Sequence, residues 1–296
     1  MVRIILLDVI VPVLSAFIIG LLFLGIFRKV VARIHWRYGP PVLQPFIDLI
    51  KFFGQKGFSH GFIFDTGIFL SIAGSIVTIL FIPFAGLCAL KGSGGLLVLL
   101  YLLIIAPLGM ALSAGESANP NASIGISRKL ILSIGYEVPF VLIILSLMFY
   151  YKTISFVEII DAQKNFHWAL FSPLFLSGIS YFLILPAMLG LRPFDVASAP
   201  QEISSGGIVE YGGQYLALFH IEHALHLYIY LSLFVNLFLG GGNIFVFLIK
   251  MFVVFIIGIF IHSVFPRLRI DQAIKYLWRY PTLLALLGII LILIFK

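Results

Sequence analysis

A chain of 296 residues that is 61% hydrophobic and 10% charged, with a mean hydropathy of +1.15, cannot be a soluble globular domain. Its formal net charge of +7 rests on few ionisable side chains between long apolar runs, and no nucleic-acid partner is expected. One cysteine, Cys88, excludes an iron–sulfur cluster, a nickel–thiolate site or a disulfide held by this chain alone.

Backbone groups in lipid must be satisfied inside a helix or a closed barrel, and the apolar runs lack the alternation of barrel strands. The expected fold class is therefore all-α: one polytopic membrane domain over residues 1–296, with no internal repeat and no cleavable signal peptide. At about 20 residues per crossing, eight transmembrane helices are predicted. They cover 8–27, 67–90, 96–114, 130–150, 169–191, 214–239, 244–265 and 281–295. Glycine turns at 92–95 and 240–242 join consecutive spans.

The first connection has structure of its own. Gln44, Asp48, Lys51 and Gln55 recur four, three and four residues apart, with Phe46, Ile47, Leu49, Ile50 and Phe53 between them. That pattern is an amphipathic helix with Pro45 in its first turn. It is too short to span, so it lies in the membrane interface or against protein.

In the fourth span, Glu137 and Pro139 interrupt an apolar run that starts near Arg128 and Lys129. A carboxylate at bilayer depth is costly and faces protein or water when it serves function; near the surface it would only snorkel. The fifth and sixth spans are joined by LRPFDVASAPQEISSGGIVEY, residues 191–211. It concentrates Arg192, Asp195, Glu202 and Glu210 beside Gly206, Gly207, Gly212 and Gly213, as if the backbone folded tightly with carboxylates facing inward. A solvated loop is the plainer alternative. Glu202 and Glu210 are expected to approach each other, and Arg192 and Asp195 to pair locally.

The sixth span opens with His220, Glu222, His223 and His226, the last three on one helix face. Histidine and carboxylate suit zinc or nickel, but one helix seldom supplies a ligand set, and membrane histidines more often relay protons or hydrogen-bond. Lys250 and His262 are either members of the same polar path or satisfied interface groups. Loops one, three, five and seven hold Arg28, Lys29, Arg33, Arg37, Lys51, Lys56, Arg128, Lys129, Arg192, Arg267, Arg269, Lys275 and Arg279. The other side holds Arg3, Lys91, Lys152, Lys164 and Lys296, which puts both termini outside a cell membrane and the odd-numbered loops in the cytoplasm.

Six motifs then stand in order: RYGPPVLQPFIDLIK from Arg37, SRKLILSIGYEVP from Ser127, RPFDVASAPQEISSGGIVEY from Arg192, ALFHIEH from Ala217, LFLGG from Leu237 and PRLRIDQ from Pro266. On these the chain resembles the membrane anchors of the complex I superfamily known as subunit 1, or H-type. It is most similar to those of group 4 energy-converting nickel–iron hydrogenases and membrane-bound sulfane sulfur reductases. Quinone-reducing members carry a longer first loop than Gly39 to Gln44, and further glutamates where this chain has Ser198 and Pro200. A sixth-span glutamate of those members aligns with His223.

The resemblance implies a non-catalytic anchor that binds no cofactor itself. It would carry hydrogenase-like large and small subunits, in which the nickel–iron site and iron–sulfur clusters reside, and adjoin antiporter-like membrane subunits. It implies an ion path through Glu137, Glu202, Glu210, Glu222 and His223, coupling through Arg192 and Asp195, and a subunit interface at Arg37, Gln44, Asp48, Lys51, Arg267, Arg269 and Asp271. Protons and sodium both remain open as the ion. A quinone-binding complex I subunit and a stand-alone secondary transporter are the alternatives; the paired broken helices of the latter are not found.

Overall fold

Helix is the one local solution for runs this apolar, and the computed structural model follows it closely. It describes residues 2–90, 95–164 and 167–295. The chain runs α1 (Val2–Ile34), α2 (Gln44–Phe53), α3 (Phe62–Phe81), α4 (Gly95–Gly115), α5 (Pro120–Tyr151) and α6 (Phe156–Ala162). It continues through α7 (Phe175–Met188), α8 (Pro200–Ile203), α9 (Gln214–Leu239), α10 (Ile244–Val264) and α11 (Ile270–Phe295). Short 3-10 turns lie at Ala169–Phe171 and Gly206–Glu210.

Among the described residues seven helices are long and apolar enough to cross a membrane: α1 from Leu7, α3, α4, α5, α9, α10 and α11. The fifth predicted span, 169–191, differs. Its regular helix α7 has 14 residues, about 21 Å at 1.5 Å per residue and short of a hydrocarbon core of about 30 Å. Ser172 and Pro173 precede it, and Gly190 turns the chain after it with a φ of +65°. Other boundaries shift for similar local reasons. α3 starts at Phe62 and stops at Phe81, because Pro83 and a left-handed Ala85–Gly86 pair cannot continue it. α5 starts at Pro120 behind an Asn119 side-chain cap, so Arg128 and Lys129 lie two turns inside the helix. α11 begins at Ile270 and carries Pro281 in its interior. The glycine turn at 240–242 forms as expected, with all three φ values positive; Gly92 to Gly94 of the other turn, with Lys91 and Lys296, lie outside the described residues.

α9 is the axis of the bundle. In its most apolar window 72% of residues are buried, against 28–56% in the other spanning helices. α1, α3, α7 and α10 pack around it and α2 lies across its start, while α5, α7 and α11 form the second group. From Ala224 to Leu239 every residue is buried, His226, Ser232 and Asn236 among them, as in a helix enclosed by protein.

Without a hydrophobic force between helices in lipid, association rests on close approach over small residues. α3 and α4 achieve this reciprocally. A Cβ on Gly67 would stand 2.7 Å from the Gly109 carbonyl oxygen, and one on Gly109 would stand 2.7 Å from that of Gly67. Gly109→Leu is accordingly expected to push α3 and α4 apart, with a loss of about 1–3 kcal/mol or more from overpacking. A clearly lowered unfolding temperature of the detergent-solubilised protein checks this; a wild-type temperature would show that the two backbones do not meet there.

α2 answers the question left open for the first loop. Pro45 and Leu49 are buried, and Leu49 packs with Leu21, Ala217 and Ala224 of α1 and α9, whereas Ile47 and Ile50 stay exposed. Its polar stripe turns to α1: Arg28 bonds Asp48 at 3.0 Å, and Gln44 Nε2 donates to Asp48 at 2.8 Å.

Candidate functional site

The 191–211 connection does not float in solvent. Phe194, Val196, Ala199, Ile203 and Tyr211 are buried pegs along it, and the Leu268 amide donates to the Pro193 carbonyl at 2.9 Å. Gly206 takes a φ of +59°, and a Cβ there would come within 2.5 Å of the Ala197 carbonyl and 3.3 Å of Gly125 on α5. Only glycine meets both demands, so the glycines do fold the backbone tightly.

The charged side chains of the loop find partners other than those expected. Asp195 pairs with Arg267 at 2.8 Å and accepts a hydrogen bond from Ser198, so it does not pair with Arg192. Arg192 contributes its main-chain N–H, which donates to His262 Nδ1 at 2.9 Å. Arg267 prevails because the loop before α11 is held against Pro193, which brings a fixed guanidinium to a shielded carboxylate.

Glu202 and Glu210 are also drawn apart. Glu202 is half exposed and bonds Arg128 of α5 at 2.7 Å. That bond holds its carboxyl below the usual carboxylate range. Glu210 is 9% exposed, faces His60 at 3.2 Å and accepts from Asn119 Nδ2 at 2.7 Å. Each acid has met its own donors from a different part of the chain, and no close carboxylate pair forms between them. Burial pushes the Tyr211 phenol up to about 12, so it is a neutral hydroxyl at any working pH. It stands within electrostatic reach of both Glu210 and Glu222.

On α9, Glu222 is 2% exposed and its Oε1 has no hydrogen-bond partner among the described residues. His226 Nε2 is in the same condition. His223 is half-buried and its ring lies parallel to Phe219, at 6.4 Å between centroids; His220 stacks on Phe52 of α2. Among the described residues no three His, Cys, Asp or Glu side chains gather as metal ligands.

Glu137 is half-buried on α5 and lines a cavity of about 50 Å³ with Leu100, Leu103, Met188, Tyr136 and Tyr230. Such a space has room for more than one water, and a carboxylate with two phenols gives it polar partners. Tyr136 lies within electrostatic reach of both Glu137 and Glu222.

The two open candidates on α10 are satisfied groups. Lys250 Nζ donates to the Leu239 and Gly241 carbonyls at 2.6 and 2.7 Å, capping the end of α9, and sits over the Trp168 ring. His262 accepts from the Arg192 amide and meets Phe27 edge-on. At the surface, Arg37 and Lys51 are exposed, and Arg269 and Asp271 approach to 3.6 Å in solvent.

Sequence reasoning missed His60, Asn119, Tyr211 and Tyr230. Asn119–Pro120 is a helix-start signal that could have been read. A lone loop histidine, the tyrosine that closes the 191–211 loop and a tyrosine in an apolar run carry no such mark.

The profile of the family described as NADH dehydrogenase matches residues 7–293. The H-type membrane protein of the NADH-quinone oxidoreductase of Protochlamydia amoebophila is 29% identical over 89% of both chains. Hydrogenase-4 component C of Escherichia coli is 33% identical, with 75% of this chain and 71% of that protein aligned. Among solved structures, a chain of the membrane-bound sulfane sulfur reductase, an archaeal respiratory membrane complex, superposes with a TM-score of 0.94. It is 41% identical, and 97% of this chain and 99% of that chain are covered. With that reach of profile, sequence and fold, the chain belongs to the NADH dehydrogenase family of H-type membrane proteins found in complex I and its relatives.

Proposed function

We propose that this chain is the membrane-anchoring and coupling subunit of a multisubunit respiratory complex. It would link a hydrogenase-like redox arm, built of large and small subunits with nickel–iron and iron–sulfur centres, to ion movement through adjoining antiporter-like subunits. The observation that carries the reading is the 191–211 loop, pegged into the bundle by buried side chains, with Glu210 held by His60 and Asn119 and Glu222 buried on α9. A charge change in a partner resting on the loop would reach Glu222 through a few rigid contacts, because a low-dielectric interior screens charges weakly. The relatives named for hydrogenase-4 and sulfane sulfur reductase favour this arm. In this reading the short α7 also crosses the membrane, so that both termini are outside, the odd-numbered loops face the cytoplasm, and Arg37, Lys51, Arg269 and Asp271 meet the partners.

The test is purification under mild detergent. The chain should come out with iron–sulfur or nickel–iron subunits, and the 191–211 loop should resist protease until those subunits are stripped. A chain that purifies alone and transports a solute would be a secondary transporter. Reduction of quinone by the purified assembly would instead mark a quinone-reactive subunit.

A further inference from the structure

We infer that the C-terminal end of α1 carries a site for the phosphate headgroup of an anionic phospholipid, formed by Lys29 and Arg33 and framed by Trp36 and Tyr38. None of the buried acids takes part.

The backbone builds the site. After Ile34 it closes the helix end: the Trp36 N–H donates to the Arg33 carbonyl at 3.1 Å, and the Arg37 N–H donates to that of Ala32 at 2.7 Å. Glycine is the usual residue at the turning position of such an end. Here it is Trp36, with a φ of +58°, a backbone that strains a bulky side chain. Gly39, at a φ of +69°, then lays the chain back on α1, where a Cβ would come within 2.6 Å of the Ala32 Cβ. This fold-back sets Tyr38 beside two cations. Lys29 Nζ stands 4.7 Å and the Arg33 guanidinium 4.8 Å from the centre of its ring.

The ring orders the two groups without using up the N–H donors that phosphate oxygens accept. Among the described residues neither cation pairs with a carboxylate, and Asp48 of α2 is already bonded to Arg28. Trp36 is 98% exposed and Tyr38 78%. A strained tryptophan that buries almost nothing against its own chain is placed for a contact outside it. Tryptophan and tyrosine concentrate at the headgroup level of a bilayer.

An acidic protein surface would also suit two cations, but the rest of α1 decides for lipid. Leu7, Ile10, Leu14 and Ile18 are exposed at steps of three and four along one face of the helix. Lys29 follows Ile18 by eleven residues, which returns it to within about 20° of the same face. The spanning part of α1 runs from Leu7 to Ile34. At 1.5 Å per residue Lys29 stands about 33 Å and Arg33 about 39 Å beyond Leu7, just past a hydrocarbon core of about 30 Å. One lipid therefore meets apolar side chains along its acyl chain and ordered cations at its phosphate. Charge attraction to an anionic leaflet adds to that fit.

The experiment reads Trp36 alone, in the full chain carrying Trp168→Phe and Trp278→Phe, reconstituted into phosphatidylcholine vesicles. Its fluorescence is quenched with phosphatidylglycerol or with phosphatidylcholine, each bearing a nitroxide near the head of one acyl chain. Phosphatidylglycerol is expected to quench at the lower concentration. Lys29→Gln and Arg33→Gln should each reduce that preference about fivefold, the scale of one cation at an anionic surface. Tyr38→Leu keeps both charges but frees them from the ring, and should reduce it about two- to fivefold, the scale of an exposed cation–π contact. An excess of inorganic phosphate should leave the preference intact, because it has no acyl chain to lie along α1. Equal quenching by the two lipids overturns the site. So does a wild-type preference in Tyr38→Leu, which would mark a diffuse attraction with no built site, and so does displacement by inorganic phosphate. A second arm uses the intact complex: if Lys29→Gln/Arg33→Gln loses partner subunits on purification while the lipid preference of the chain stays unchanged, the patch binds an acidic protein surface and the lipid site falls.

Discussion

A complex carrying Glu137→Gln is expected to assemble normally and to lose ion translocation. Glutamine keeps the volume of the side chain and can hydrogen-bond to the same waters, but it cannot take up or release a proton. The site tolerates such a change because Glu137 has the small cavity beside it and no ion-pair partner among the described residues. No strong bond is broken by the replacement. What disappears is the titrating oxygen at the point where α5, α4 and α9 meet. Uptake of protons or sodium into vesicles, driven by the redox arm, measures the outcome. Translocation at the wild-type level in a complex that contains the variant would remove Glu137 from the path. Glu222→Gln should behave alike, though its carboxyl is enclosed and one of its oxygens is unpartnered, so a change in unfolding temperature must be measured alongside.

The second large effect concerns the joint between the 191–211 loop and α11. Arg267→Ala should destabilise the protein on the order of 2 kcal/mol and loosen the loop from the bundle. The pair is 14% and 19% exposed, so its loss leaves a mostly shielded Asp195 with Ser198 as its one remaining side-chain donor among the described residues. Removing one partner of a fully buried pair costs roughly 3–5 kcal/mol, and the remaining exposure reduces that figure. Arg192→Ala should cost far less, because its main-chain amide and not its guanidinium bonds His262. Unfolding temperatures of the two variants, with Asp195→Ala and the double variant Asp195→Ala/Arg267→Ala, decide the matter. If the effects of the Asp195 and Arg267 changes simply add, the two side chains are not coupled and the loop is held by its apolar pegs alone. If Arg192→Ala proves the worse variant, the local pair expected from the sequence is real after all.

These two results also divide what could be read in the sequence from what could not. Glu137 was conspicuous because a carboxylate in an apolar run needs a reason, and that reason is local to its own segment. The partner of Asp195 was not, because it lies 72 residues away. Nothing in RPFDVASAPQEIS says that PRLRIDQ will lie beside it. Glu210 is similar: Asn119 reaches it across 91 residues. A loop with one arginine and three acids invited local pairing, and the fold brought in Arg267 and His60 from two other connections and Arg128 from α5.

By itself the sequence determined the class of the molecule, most of the spanning helices, the glycine turn at 240–242, the presence of a short helix in the first connection and the family motifs. Hydrophobic burial in lipid is a property of contiguous residues, so it can be read along the chain. Only the tertiary structure decided that α7 is too short to be counted with the long spans, that α9 is the enclosed axis, and which donor each acid meets. It also decided that Tyr230 and Tyr136 line the cavity beside Glu137. A tyrosine in an apolar run looks like any other core aromatic. Its hydroxyl becomes informative only when another helix brings a carboxylate and a second phenol within reach, and helix-to-helix register is set by small-residue contacts such as Gly67 with Gly109 and not by hydropathy.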